Sequence, residues 1–149
     1  MDAPLSNYAQ LFVNGQYIGL YVNDQSVDKK FLEEHFFSNN GSFFKCNPSG
    51  QIGSSSPSLE YLGSDSTNYS LAYEIKSDNG WNDLINLCDT LVNHTSFIEN
   101  VIDVDRAICM LAFDNLVVNL DSYIGQPRQN YYLYKDGTKR FVPVKWDFN

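Results

Sequence analysis

With 149 residues, 43% of them hydrophobic and 15% aromatic, the chain is long and apolar enough to bury a core, which excludes an intrinsically disordered segment. A net charge of −8 argues against non-specific binding to nucleic acid or to anionic membranes, because both repel an acidic surface. No apolar run reaches the roughly 18 residues of a membrane span, and no signal peptide is visible.

In chain order, the first half reads as sheet. Tyr8 to Val13 and Gln16 to Val22 are β-prone runs joined by Asn14-Gly15, the strongest short hairpin signal. A helix is expected from Val27 to Phe37, capped by Ser26 or Asp28, with Val27, Phe31, Leu32 and Phe36 on its buried side. Asn39-Asn40-Gly41 turns the chain into a short strand, Phe43-Phe44-Lys45. Residues 47 to 58 are rich in Pro, Gly and Ser, which predicts a loop and a boundary between two lobes.

The second half is expected to be mostly helical. Trp81, Leu84, Ile85, Cys88, Leu91 and Val92 follow a 3.6-residue period behind Asp78 or Asn79 as cap, with Trp81 anchoring the apolar face. Ser96-Phe97-Ile98-Glu99 has the form of a capping box. Asp103 is expected to cap a helix whose apolar stripe is Val104, Ala107, Ile108, Leu111, Ala112 and Val118, ending near Asn119; Asp103 and Asp105 suit its dipole. A polar turn, Asp121 to Gln129, leads to a strand at Tyr131 to Tyr134, a turn at Lys135-Asp136-Gly137, and a strand at Phe141 to Val144. Tyr131, Tyr132 and Tyr134 alternate on the first of these strands, so one face packs inward while the other is free to flank a cleft; packing is the favoured reading. The expected division is a sheet-rich lobe over about 1–76 and a helical lobe over about 77–149.

Three cysteines, Cys46, Cys88 and Cys109, have no metal-ligand spacing, and the helical patterns around Cys88 and Cys109 predict buried thiols. His35 and His94 also lack metal spacing. The sequons at Asn40, Asn68 and Asn93 occur at a frequency that chance supplies, so they assign no compartment.

The order of the last elements carries the chemistry. An apolar helix feeds a loop with Asp121, a hairpin begins beside Asn130, and its return strand delivers Asp147. A hairpin brings its ends together, so Asn130 and Asp147 are expected to lie close, with Asp121 at the same end. Phosphoryl transfer uses such a set: one Asp for the acceptor hydroxyl, and an Asn with a second Asp for Mg²⁺ on the phosphates. Taken singly, each of these residues is also an ordinary turn former.

Asn119-Leu120-Asp121-Ser122-Tyr123, then Gln129-Asn130-Tyr131-Tyr132-Leu133-Tyr134 and Trp146-Asp147-Phe148-Asn149, resemble the signature of the CotH (spore coat protein H) family of atypical protein kinases. Leu11-Phe12-Val13-Asn14-Gly15-Gln16 with Gly19-Leu20-Tyr21 is similar to that family's opening hairpin. Val27-Asp28-Lys29-Lys30-Phe31-Leu32 resembles the helix after it, Gly41-Ser42-Phe43-Phe44-Lys45 the strand with the nucleotide lysine, and Ile102-Asp103-Val104-Asp105 the start of the long helix.

The resemblance implies an α+β, atypical protein-kinase-like fold: an antiparallel sheet lobe and a helical lobe, with a β-hairpin carrying the metal site, incomplete at both ends. It implies a protein Ser/Thr kinase that uses ATP and Mg²⁺ to modify secreted, cell-surface or spore-coat proteins; oxygen ligands suit Mn²⁺ as well. By position, Asp121 corresponds to the catalytic aspartate, Asp147 and Asn130 to metal ligands, and Lys45 to the phosphate-contacting lysine. Many family members have Glu near Gln25, and an amide there forms no ion pair with lysine; Glu60 or Glu74 is the expected substitute as partner of Lys45. The alternative is a non-catalytic adhesion or coat-scaffold module on the same fold, since function belongs to the site rather than the fold.

Overall fold

The computed structural model describes residues 2–48 and 55–147. Asn14 and Gly15 have φ of 51° and 82°, the left-handed pair of a type I′ turn, and they join β1 (Ser6–Val13) to β2 (Gln16–Asp24). This ribbon is a separate two-stranded sheet. Tyr8, Phe12, Leu20 and Val22 on it are all more than half exposed. Asp28 caps α1 (Lys29–Phe36), its Oδ1 accepting from the amides of Lys30 and Phe31 at 2.9 and 3.0 Å. The helix stops at Phe37, which is left-handed at φ 57°.

The main sheet is antiparallel, in the order β4-β3-β5-β6, formed by β3 (Phe43–Cys46), β4 (Tyr73–Ile75), β5 (Tyr131–Lys135) and β6 (Phe141–Lys145). It draws strands from both sides of the division expected near residue 76. The architecture is thus α+β with antiparallel sheets. The loop expected at 47–58 lies in part outside the described residues, which resume at Ser55.

Side chains alternate across a strand, and this sorts the core into two clusters. Phe44, Cys46, Tyr131, Leu133 and Phe141 form one with Leu84, Leu87 and Cys88 of α2 (Trp81–Asn93) and Met110 of α3 (Val104–Leu116). Phe43, Tyr132, Tyr134 and Val144 form the other with Phe31 and Leu32 of α1. Both faces of β5 are therefore packed, which is why Tyr131 to Tyr134 are all buried. The outer edge of β6 is covered as well: Phe141 exchanges backbone hydrogen bonds with Val101 and Asp103, and Asp2 bridges Val144.

Several local expectations change. Gly80, φ 144°, is the N-cap of α2, which has no side-chain cap from Asp78 or Asn79. Gly80 sits so tightly on Ser42 that a Cβ there would lie 2.6 Å from the serine's own, and that approach fixes the helix start. Residues Thr95–Asn100 form a 3-10 helix, and Ser96 is inside it rather than its cap. Asp103 caps α3 as expected, accepting from Arg106 N at 3.1 Å. The helix ends at Leu116, and its buried residues are Met110 and Asp114, whereas Ile108, Leu116 and Val118 are exposed. Cys109 falls on the exposed side too, while Cys46 and Cys88 are buried. Burial pushes the Cys46 thiol well up and that of Cys88 to about 12.

Two measurements test this packing. A thiol reagent at pH 8 is expected to label only Cys109 in the native protein and all three cysteines in denaturant; rapid native labelling of a second thiol would contradict the core. Phe44, fully buried against Trp81 and Phe141, is expected to cost about 3–5 kcal/mol when replaced by Ala, read from urea unfolding.

Candidate functional site

A cleft of about 860 Å³ opens between the β1–β2 ribbon and the main sheet. Asp24, Gln25, Asp28 and Lys29 line it from the ribbon and the start of α1; Phe43, Lys45, Lys76, Tyr132, Trp146 and Asp147 line it from the sheet side. The register explains the second set. Lys45 stands between Glu74 and Tyr132 in one cross-strand row, on the same face as Phe43. Trp146 follows β6 and packs edge-on against Tyr132, with ring centroids 6.0 Å apart.

Lys45 lies in this cleft with its Nζ 4.7 Å from the centre of the Trp146 ring, a cation–π arrangement that holds the ammonium over Trp146. Among the described residues no carboxylate pairs with it. Gln25 donates to Glu34 at 2.8 Å, Glu60 lies 3.5 Å from Arg128, and Glu74, its cross-strand neighbour, lies 2.8 Å from Lys76. Burial, with the Glu74 carboxylate adding to it, pushes the Tyr132 hydroxyl up to about 12. The ionic groups of the cleft are then its three lysines, Lys29, Lys45 and Lys76, against Asp24, Asp28 and Asp147.

The loop after α3 is built around Asp121. Its two carboxylate oxygens accept from Gln129 Nε2 at 2.7 Å and Asn130 Nδ2 at 2.9 Å, and Asn130 Nδ2 also reaches the Asp121 carbonyl at 2.9 Å. That double donation fixes the Asn130 amide, so Oδ1 is the oxygen that a cation would use. Asn130 and Asp147 have φ of 61° and 59°; Asn and Asp are the non-glycine residues that enter this left-handed region most readily. Because Tyr131 pairs with Lys145, Asn130 and Trp146 flank the same end of the hairpin.

Asp121 and Asn130 therefore touch directly. Asp147 joins them through Asn119, whose Nδ2 donates to the Asp147 carbonyl at 3.4 Å and whose Oδ1 accepts from Asp121 N at 3.2 Å. Lys45 joins Asp147 by sharing the cleft, while Asp121 and Asn130 do not line it. Among the described residues no group of three or more His, Cys, Asp or Glu gathers as a ready metal cage. Phe148 and Asn149 of the terminal motif lie outside the described residues. His35 and His94 stand instead beside Asp2 and Asp89, at 3.6 and 3.7 Å.

Sequence reasoning missed three residues. Asp114 and Lys145 are buried and 3.1 Å apart, and Asn119, also buried, reaches Asp114 Oδ1 at 3.4 Å. The signal was present: Asp114 follows Ala107, Met110 and Leu111 at helical spacing, and Lys145 alternates with Phe141 and Pro143.

An α+β domain with a lysine-and-aspartate cleft beside a hairpin-borne Asn/Asp loop is the class these elements define. The chain belongs to the CotH kinase protein family, which it matches over residues 1–149. No curated protein matches it at a significant level. Among the described residues no helix is long and apolar enough to cross a membrane.

The loop closes on itself at Gly125, whose amide donates to Ser122 O at 3.1 Å. A Cβ there would stand 1.7 Å from the Leu120 carbonyl oxygen, so any side chain must pry the loop open. Gly125→Ala is expected to lower stability by about 1–3 kcal/mol in urea unfolding; an unchanged midpoint would show that the loop is not closed in solution.

Proposed function

We propose that the protein is an ATP- and Mg²⁺-dependent protein serine/threonine kinase of the CotH type, acting on Ser or Thr of secreted, spore-coat or other surface proteins. The observation that carries this reading is the joining of two groups of residues. Lys45 and Asp147 share one cleft, and Asn119 ties the backbone of Asp147 to the loop of Asp121. Family membership supports the reaction class. The kinase-like fold and the metal-bearing hairpin belong to the same proposal.

The residues fit a magnesium nucleotide. A cleft of about 860 Å³ has the size of small-molecule sites, and its lysines suit phosphate oxygens. Asp147 with Oδ1 of Asn130 offers hard oxygen donors, which suit Mg²⁺ and Mn²⁺ alike. When bound, the cation offsets phosphate charge, which an acidic chain would otherwise repel. Lys45 holds phosphate oxygens with a point charge that Trp146 keeps at the cleft. Asp121 orients the acceptor hydroxyl and takes its proton as the oxygen attacks the γ-phosphorus and ADP leaves. Gln129 and Asn130 fix the plane of that carboxylate, so it meets the hydroxyl without reorganising.

The alternative, a non-catalytic adhesion or coat-scaffold module, is favoured by one observation: among the described residues Lys45 has no carboxylate partner to hold it for phosphate. Two assays separate the readings. Transfer from radiolabelled ATP is expected to fall by about 10²-fold or more in Asp121→Ala and in Asp147→Ala, with circular dichroism unchanged; undiminished labelling would overturn these roles. Mg²⁺-ATP is expected to raise the melting temperature of the wild type, and its failure to do so would favour the scaffold.

A further inference from the structure

The most deeply buried charges of the protein lie outside the cleft. Lys145, at the end of β6, and Asp114, on α3, are each 0% exposed, with Nζ and Oδ1 3.1 Å apart. Alternation along β6 puts Lys145 on the α3 side of the sheet, with Phe141, while its neighbour Trp146 packs with Tyr132 on the α1 side. An ion pair withdrawn wholly from water adds little net stability, because desolvation of both charges offsets their attraction, and apolar side chains of similar volume commonly do as well. Holding α3 to β6 is therefore a poor explanation for this pair.

Asn119 supplies a better one. Its Nδ2 donates to Asp114 Oδ1 and to the Asp147 carbonyl, both at 3.4 Å, and its Oδ1 accepts from Asp121 N at 3.2 Å. The last β5–β6 pair is Tyr131 with Lys145, so Asp147 lies past the ladder and its carbonyl is held by Asn119 instead of by the sheet. An amide has two orientations, and only one presents oxygen to the Asp121 N–H. The Asp114 carboxylate selects that orientation by demanding the NH₂ group on its own side, and Lys145 supplies the charge that lets a carboxylate be buried there.

We propose that Asp114, Lys145 and Asn119 are positioning residues, a buried polar post that sets the spacing between the Asp121 loop and Asp147. This rests on the kinase reading for its catalytic consequence, but its structural content is independent of that reading.

The test uses the full chain. Asp114→Leu combined with Lys145→Met removes both charges at similar volume and is expected to spare the fold; Asn119→Ala removes the links to Asp121 and Asp147 while leaving Asp114 paired with Lys145. Both variants are expected to keep native protection of the β5 and β6 amides while exchange at the Asp121 amide quickens about tenfold, the factor of one net hydrogen bond. In phosphoryl transfer, kcat is expected to fall by a similar factor, about tenfold, with KM for Mg²⁺-ATP little changed, because Lys45 is untouched. Wild-type protection at Asp121 in Asn119→Ala would overturn the post, and so would unchanged kcat in a folded double variant. If the double variant does not fold, Asn119→Ala alone decides. A wild type that transfers no phosphate would defeat the kinase reading, while amide exchange would still decide whether the post exists.

Discussion

The pairing of Tyr131 with Lys145 fixes most of what matters in this protein. From that register, alternation sends Lys145 toward α3, Trp146 toward the α1 side, and Asp147 just past the last rung of the ladder. A slip of one residue would expose the burial pattern to wholesale inversion, because every side chain of a strand changes face together. Lys145 would then stand among Tyr132 and Phe31, and Trp146 would face Asp114. The same pairing holds β5 between β3 and β6, so that Lys45 of β3 and Trp146 beyond β6 reach one cleft across Tyr132.

Electrostatics then divides the molecule. The chain as a whole is acidic, yet the cleft sets three lysines against three aspartates. Local charge in a concave site, rather than net charge, decides which ligand is drawn there. Away from the cleft, the remaining pairs are mostly partly exposed, such as Arg106 with Asp2 and Lys135 with Asp83, and contribute roughly 0–1 kcal/mol each. Lys135 and Ser42 both bond Asp83, and their hydrogen bonds outweigh the effect of burial to hold that carboxyl below its usual range.

Much of the fold was legible in the sequence where a local rule has one outcome. Asn14-Gly15 leaves a two-residue turn little choice, and Asp28 and Asp103 cap helices because each precedes an apolar repeat and can bond amides two or three residues on. Where packing outweighs local preference, legibility fails. β4 is only Tyr73–Ile75, too short for alternation to register. Asp78 and Asn79 lose α2 to Gly80 because Ser42 crowds that corner, and Cys109 turns outward because α3 buries Met110 and Asp114 instead. At the site, hairpin logic placed Asn130 beside Trp146 at one end of the β5–β6 ladder, while the link from Asp147 to the Asp121 loop runs through Asn119, whose part the sequence did not show. The buried Asp114–Lys145 pair was hidden because a charge at an apolar position reads as a break in the pattern until its partner is found.

The two loops before and after β5 invite opposite treatment. Between Leu120 and Gly125 the backbone is clasped so closely that added length has nowhere to go, whereas the bend at residues 136–140 is stitched by Asp136 to its own neighbours and faces solvent at its tip. Insertions, epitope tags or fluorescent labels belong at the second. The first behaves as a ruler, in which both the number of residues and the glycine that closes it are fixed.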